Sequence, residues 1–259
     1  MSFRDWREKL AFKGVNKFEN LEDYLDSYTP PGEMRRYEMN IIELGNLPWI
    51  PGGWEKWYEE GVHPPFRTTL PWAQDDSSSN NVQQTLNGIA ITQPKEANAP
   101  SGILWSNFTI KHGTVRALIK LPNVKGAWSA FWLFAGLPEL DILEHCGEWK
   151  HQFTATHHWG YDYENIFGKE MTNHNERYNK RLDLHNEYHL FEVLFTPYEV
   201  IYLVDGVEHR KVTKGIPTMD THIIFNVTKG DYCDSAITEA LSEDATMHVK
   251  WLEVYDMCP

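Results

Sequence analysis

The chain has 259 residues, 41% of them hydrophobic, which supports a sizeable core and excludes wholesale disorder. Its 24 basic and 37 acidic side chains leave a net charge of −13, which argues against nucleic acid as a partner and disfavours a polyanionic substrate. Three cysteines exclude a disulfide-stapled scaffold but leave room for one bridge, and no apolar run approaches a transmembrane length, so no membrane partner is expected.

Residues 1–45 read as a short helical extension. Phe3, Trp6 and Leu10 follow helical spacing behind Ser2, and Leu21, Tyr24, Leu25 and Tyr28 repeat it behind Asn20 until Pro30-Pro31 stops it. The opening residues alternate charge and apolarity, so no secretory apolar segment is read there. Residues 46–82 hold Pro, Gly and aromatics between Trp49 and Trp72, the chemistry of loops that line clefts. From about residue 86 the pattern becomes β. Val115, Ala117, Ile119 and Leu121 alternate with Thr114, Arg116, Leu118 and Lys120, giving a strand with one strongly apolar face.

Further strands are expected over 128–134, 139–145, 151–159, 188–196, 199–204, 207–212, 222–228 and 246–255, with a long polar loop at 160–186. Asp205-Gly206 between two β runs predicts a type I′ hairpin turn. Many strands joined by short turns imply an all-β fold, a two-sheet antiparallel β-sandwich occupying residues 46–259.

The segment Glu139-Leu140-Asp141-Ile142-Leu143-Glu144 carries the chemistry. On a regular strand Glu139 and Asp141 share a face, but Glu144 has the wrong parity. One inserted residue, a β-bulge at Ile142-Leu143, brings all three acids to one side and turns Leu140, Ile142 and Leu143 inward. Crowded carboxyls raise one another's pKa, which keeps one protonated near neutrality. Retaining glycoside hydrolysis uses such a pair, a nucleophile and an acid/base, with carboxyls about 5–5.5 Å apart.

That segment resembles the bulged E-x-D-x-x-E signature of glycoside hydrolase family 16, a β-jelly-roll family with a concave substrate cleft. His112–Pro122, Gly126–Leu133, Thr156–Gly160 and the closing strand at 247–255 are similar to the family's neighbouring strands, so the likeness covers roughly residues 100–255. The resemblance implies a nucleophile at Glu139, its helper at Asp141 and the acid/base at Glu144. It places Trp128 near the reacting sugar and His158 beside the acids, while Trp132, Trp105, Trp149 and Trp159 are candidate sugar platforms.

The implied partner is a polysaccharide, cut internally at β-linkages. A β-1,3-type, laminarin-like glucan is favoured over a marine galactan such as agarose, porphyran or carrageenan. A non-catalytic carbohydrate-binding sandwich is the opposing class. A polysaccharide is normally met outside the cell, which points to an extracellular or periplasmic enzyme by an unread export route. No cofactor is required. Family members hold a structural calcium with an acidic residue of the closing strand, and Lys250 stands at that place here. His157, His158, His174, His185 and His189 cluster without zinc-type spacing, so no catalytic metal is expected. Asn107-Phe108-Thr109 and Asn226-Val227-Thr228 fit a glycosylation sequon but fall in expected strands. Oligomeric state has no sequence signature.

Overall fold

The structure is a computed structural model that describes residues 24–25, 30, 32–38, 49–51, 81–85, 88–106, 108–134, 138–159 and 182–257. The expected helix over residues 3–10, the aromatic loop between 52 and 80, and most of the 160–186 loop lie outside the described residues.

Fourteen strands form two antiparallel sheets among the described residues. One sheet runs β12 (Val207–Val212), β11 (Val200–Val204), β10 (His189–Phe195), β6 (Gly113–Lys120), β14 (Ala245–Asp256), β4 (Gly88–Gln93) and β3 (Val82–Thr85). β1 (Glu33–Glu38) also pairs with β14, lying end to end with β4 along the same side of it. The other sheet runs β2 (Trp49–Pro51), β5 (Gly102–Ser106), β13 (His222–Lys229), β7 (Ala127–Phe134), β8 (Glu139–Cys146) and β9 (Thr154–His158). The expected antiparallel sandwich is therefore the observed one.

Strand alternation builds the core. Val115, Ala117 and Ile119 of β6 and Phe191, Val193 and Phe195 of β10 meet Phe131, Leu133, Phe225 and Val227 of the facing sheet in one apolar cluster. Phe131 and Phe225 stack with centroids 4.5 Å apart, and burying each ring contributes about 1.5–3 kcal/mol. A register shift between Val249 and Trp251 leaves Lys250 exposed on β14, so that Val249 and then Leu252 and Val254 all point inward. Asp205 and Gly206 both have positive φ, 48° and 76°, as a type I′ turn requires.

The N-terminal reading needs correction in part. Tyr24 and Leu25 are helical, but Glu33–Glu38 forms a strand within the segment expected to be a helical extension. Its partner is the second half of β14, Glu33 opposite Asp256 through Glu38 opposite Trp251. Tertiary pairing overrides a local pattern without apolar alternation. The helical Tyr24 packs with Leu118, Leu190 and Trp251 on the outer face of the β6 sheet. Gly206 permits this approach, because a Cβ there would meet the Tyr24 ring at 2.5 Å.

Cys146 and Cys233 form a disulfide across 87 residues, tying the end of β8 to the 3₁₀ turn Asp231–Cys233 that follows β13. Replacing both cysteines by serine should lower unfolding free energy by about 2–4 kcal/mol, read from urea denaturation. An unchanged midpoint would show that the closed loop contributes nothing.

Candidate active site

β8 has the parity that the acids require. Its register against β7 passes from Phe131 opposite Leu143 to Trp132 opposite Asp141, so Ile142 is the extra residue of a bulge. Leu140, Ile142 and Leu143 all enter the core. Glu139 and Asp141 therefore share the face opposite the core with Glu144. Across from them on β9, Glu139 pairs with His158, Asp141 with Thr156 and Glu144 with Thr154.

Burial governs the electrostatics. Glu139 and Asp141 are only 6% and 5% exposed. Asp141 is pushed up to about 7, chiefly by burial, against the lowering influence of a side-chain hydrogen bond with Glu139 and the charge of Arg210. Glu144 is pushed up to about 8, again chiefly by burial and then by the Asp141 charge. His158, Thr156 and Trp128 act in the lowering direction on Glu144. The Thr156 hydroxyl donates to Glu144 Oε2 at 3.1 Å and the Thr154 hydroxyl to the same oxygen at 3.5 Å. Burial thus favours the neutral acid at Glu144, while the Thr156 and Thr154 hydroxyls are placed to donate to its ionised form.

His158 Nε2 lies 2.9 Å from Asp141 Oδ2, which joins it to the acid row. Glu139, Asp141 and His158 each present a ligand atom, all within 4.8 Å of one another, the set among the described residues with spacing suited to a cation. The place implied for calcium does not fit one: Lys250 is exposed and its ammonium lies 5.8 Å from the centre of the Tyr188 ring. An ammonium has no lone pair to offer a metal.

The expected tryptophans divide. Trp128 and Trp132 lie on the face of β7 opposite the core, paired with Cys146 and Asp141 respectively. The Trp132 indole donates to Asn226 Oδ1 at 2.9 Å, which also fixes the amide of one sequon. Trp149 packs beside Trp128 and Tyr232. Trp159 shares the side of His157, not His158, and covers Gly215, so the structure does not bring it to the acids. Trp105 pairs through its backbone with Ile224 and Ile50, and its side chain lies outside the described residues.

Three neighbours of the site were not singled out from the sequence. Arg210 reaches from β12 through the sandwich to donate to the Ala155 carbonyl at 2.6 Å beneath β9, and its charge reaches Asp141. Tyr202 donates to the Thr156 carbonyl at 3.3 Å. Tyr232 lies against Trp128, centroids 4.9 Å apart. Each comes from a distant segment, so no local sequence pattern pointed to it.

Comparison with known proteins adds a family match and several relatives. The model for "Glycosyl hydrolases family 16" matches residues 69–252. The endo-1,3-1,4-beta-glycanase EglC of Rhizobium meliloti (strain 1021) is 25% identical over 217 residues, covering 78% of this chain and 43% of that protein. The chain thus spans under half the length of this curated relative. Among solved structures, the laminarinase catalytic domain of Thermotoga maritima MSB8 superposes with a TM-score of 0.67 at 19% identity, covering 90% of this chain and 100% of that one. The Crh5 transglycosylase does so at 0.62 and 15%, covering 93% and 92%.

Proposed function

The chain belongs to family 16 of the glycosyl hydrolases, and on that premise we propose that it is a retaining endo-β-glucanase acting within β-1,3-type glucan chains. One observation carries the reading. Glu144 stands on one face of β8 with Glu139 and Asp141, across a bulge, where burial pushes its carboxyl up to about 8. Double displacement needs this division of labour.

In the first step the Glu139 carboxylate attacks the anomeric carbon. The glycosidic C–O bond breaks as Glu144 gives its proton to the departing oxygen, leaving a glycosyl ester on Glu139. In the second step the Glu144 carboxylate takes a proton from water, whose oxygen attacks the anomeric carbon. The ester bond breaks, Glu139 is released as carboxylate and the configuration is retained. Asp141, bonded to both Glu139 and His158, orients the nucleophile and spreads its charge. Trp128 and Trp132 offer ring faces to the sugars.

The substrate reading is supported by a relative named for 1,3-1,4 linkages, together with a net charge of −13 that suits a neutral glucan. The test is reducing-end release from laminarin, mixed-linkage glucan, agarose, porphyran and carrageenan, with Glu139→Gln beside the parent. Release from laminarin by the parent alone supports the reading. Release from a galactan instead would move the substrate class, and products longer than the substrate would identify transglycosylation. Laminarin binding by both proteins without release would make the chain a binding module.

The acid role also fixes a pH profile. Because the folded pKa of Glu144 is raised, its proton is present below about pH 8 and lost above it. On laminarin, kcat/KM should fall about tenfold per pH unit once pH exceeds that value. A profile flat to pH 10 would remove Glu144 as the proton donor.

A further inference from the structure

Tyr232 sits on the 3₁₀ turn Asp231–Cys233, which the Cys146–Cys233 disulfide ties to the end of the acid-bearing strand, two residues past Glu144. Its ring lies against Trp128 and edge-on to Trp149, with centroids 4.9 Å and 5.9 Å apart. Its hydroxyl is 2.8 Å from Thr154 Oγ1, and Thr154 Oγ1 donates to Glu144 Oε2 at 3.5 Å.

The direction of this chain follows from counting protons. Either hydroxyl of the Tyr232–Thr154 pair can donate while Glu144 is neutral, but a threonine hydroxyl has one proton, and once Glu144 is ionised Thr154 gives it to the carboxylate and accepts from Tyr232. In that ionised state the phenol is the donor at the head of a relay from Tyr232 through Thr154 to Glu144. Burial and the neighbouring Glu144 charge push the phenol up, so it keeps its proton throughout the working pH range. A polarised hydroxyl donates more strongly, which favours the carboxylate form of the acceptor.

We propose that Tyr232 is a positioning residue for the acid/base, seated by the Cys146–Cys233 bridge, whose hydroxyl polarises Thr154 and so stabilises the ionised form of Glu144. The inference rests on Glu144 being the acid/base of the proposed reaction. Its role belongs to the second step. Burial favours the neutral acid, which the first step needs, whereas activating water needs a carboxylate that survives in the same buried place. Thr156 supplies one donor directly, and the Tyr232–Thr154 pair supplies a second.

The test reads Glu144 itself, without turnover. The full chain is labelled with carboxyl-¹³C glutamate, the Glu144 resonance is identified by its loss in Glu144→Gln, and its midpoint is followed by NMR titration. Tyr232→Phe keeps the ring and its packing but removes the hydroxyl, so it should raise the midpoint by about 0.3–1 pH unit. Thr154→Val should raise it at least as far, and Thr154→Ser, which keeps the hydroxyl, should return it to the parent value. An unmoved or lowered midpoint in folded Tyr232→Phe overturns the proposal, as does an unmoved midpoint in Thr154→Val. Since the titration needs no substrate, a parent inactive on every polysaccharide would count against the proposed reaction and leave this measurement standing.

Discussion

Replacing Glu139 by alanine should reduce laminarin hydrolysis by about 10⁴–10⁶-fold, because the proposed reaction loses its nucleophile. Loss of activity alone would not separate nucleophile from acid/base, so the informative readout is rescue. With an aryl β-glucan oligosaccharide bearing a good leaving group, azide can enter the space that Glu139 vacates. It would attack from the side opposite the leaving group and give the α-glycosyl azide. Glu144→Ala should behave differently. Its loss on laminarin is about 10²–10⁴-fold and shrinks when the leaving group needs no proton, and azide should then yield the β-product through the intact ester. An α-azide from Glu144→Ala, or a β-azide from Glu139→Ala, would reverse the assignment made from β8. Both outcomes are distinguished by the anomeric coupling constant of the product.

The largest expected effect on stability lies on the other side of the molecule. Arg116 is 4% exposed on the outer face of β6, between two carboxylates that are themselves buried. Its Nε donates to Glu253 Oε2 at 2.7 Å, a second nitrogen lies 2.7 Å from the same oxygen, and a third lies 3.6 Å from Glu192 Oε2. Tyr24 donates to Glu192 Oε1 at 2.9 Å and closes the array from the N-terminal segment. Arg116→Met would keep much of the volume and strand the two acids without their cation. The expected cost is about 3–5 kcal/mol, read from urea unfolding at pH 7.

The pH dependence checks the cause. Burial raises the pKa of Glu192, and Arg116 opposes that rise. Without the guanidinium the folded-state pKa climbs further, so the folded form holds a proton that the unfolded form has released. Stability of the variant should therefore fall more steeply than that of the parent as pH rises from about 4 towards 8, and the two curves should converge in acid. A deficit that stays constant with pH would point to lost packing instead. The acid row lies on the other sheet, so kcat/KM of folded Arg116→Met should match the parent.

β6 shows why the sequence was legible for one face of each strand and not for the other. The alternation Val115, Ala117, Ile119 located the core side, and the same rule placed β7, β8, β10 and β13. Parity even required the bulge at Ile142, since three acids and three apolar residues could not otherwise separate. Nothing local, however, told that Arg116 and Leu118 on the second face would be covered, because the cover comes from Tyr24, far away in sequence. β1 was missed for a related reason: Met34-Arg35-Arg36-Tyr37 has no apolar alternation, and its strand character comes from the hydrogen bonds β14 offers. Cys146, Cys233 and Cys258 allow three pairings on paper, and chain geometry alone selects one. Tyr232 had no signal either, since its partners Thr154 and Trp128 lie 78 and 104 positions back along the chain.

The two-sided pairing of β14 sets a limit on how this protein can be cut. A fragment trimmed to the family-matched residues 69–252 would lose Tyr24 and the strand Glu33–Glu38, and it would end before Glu253 and the last three residues of β14. What it would leave is a row of unpaired backbone donors and acceptors along Trp251 and Leu252, beside an Arg116 stripped of its nearest counterion. Such an edge invites strands from other copies. Expression trials that take the minimal homologous block should therefore expect self-associating material from a sequence whose β14 edge is paired when the preceding segment stays attached.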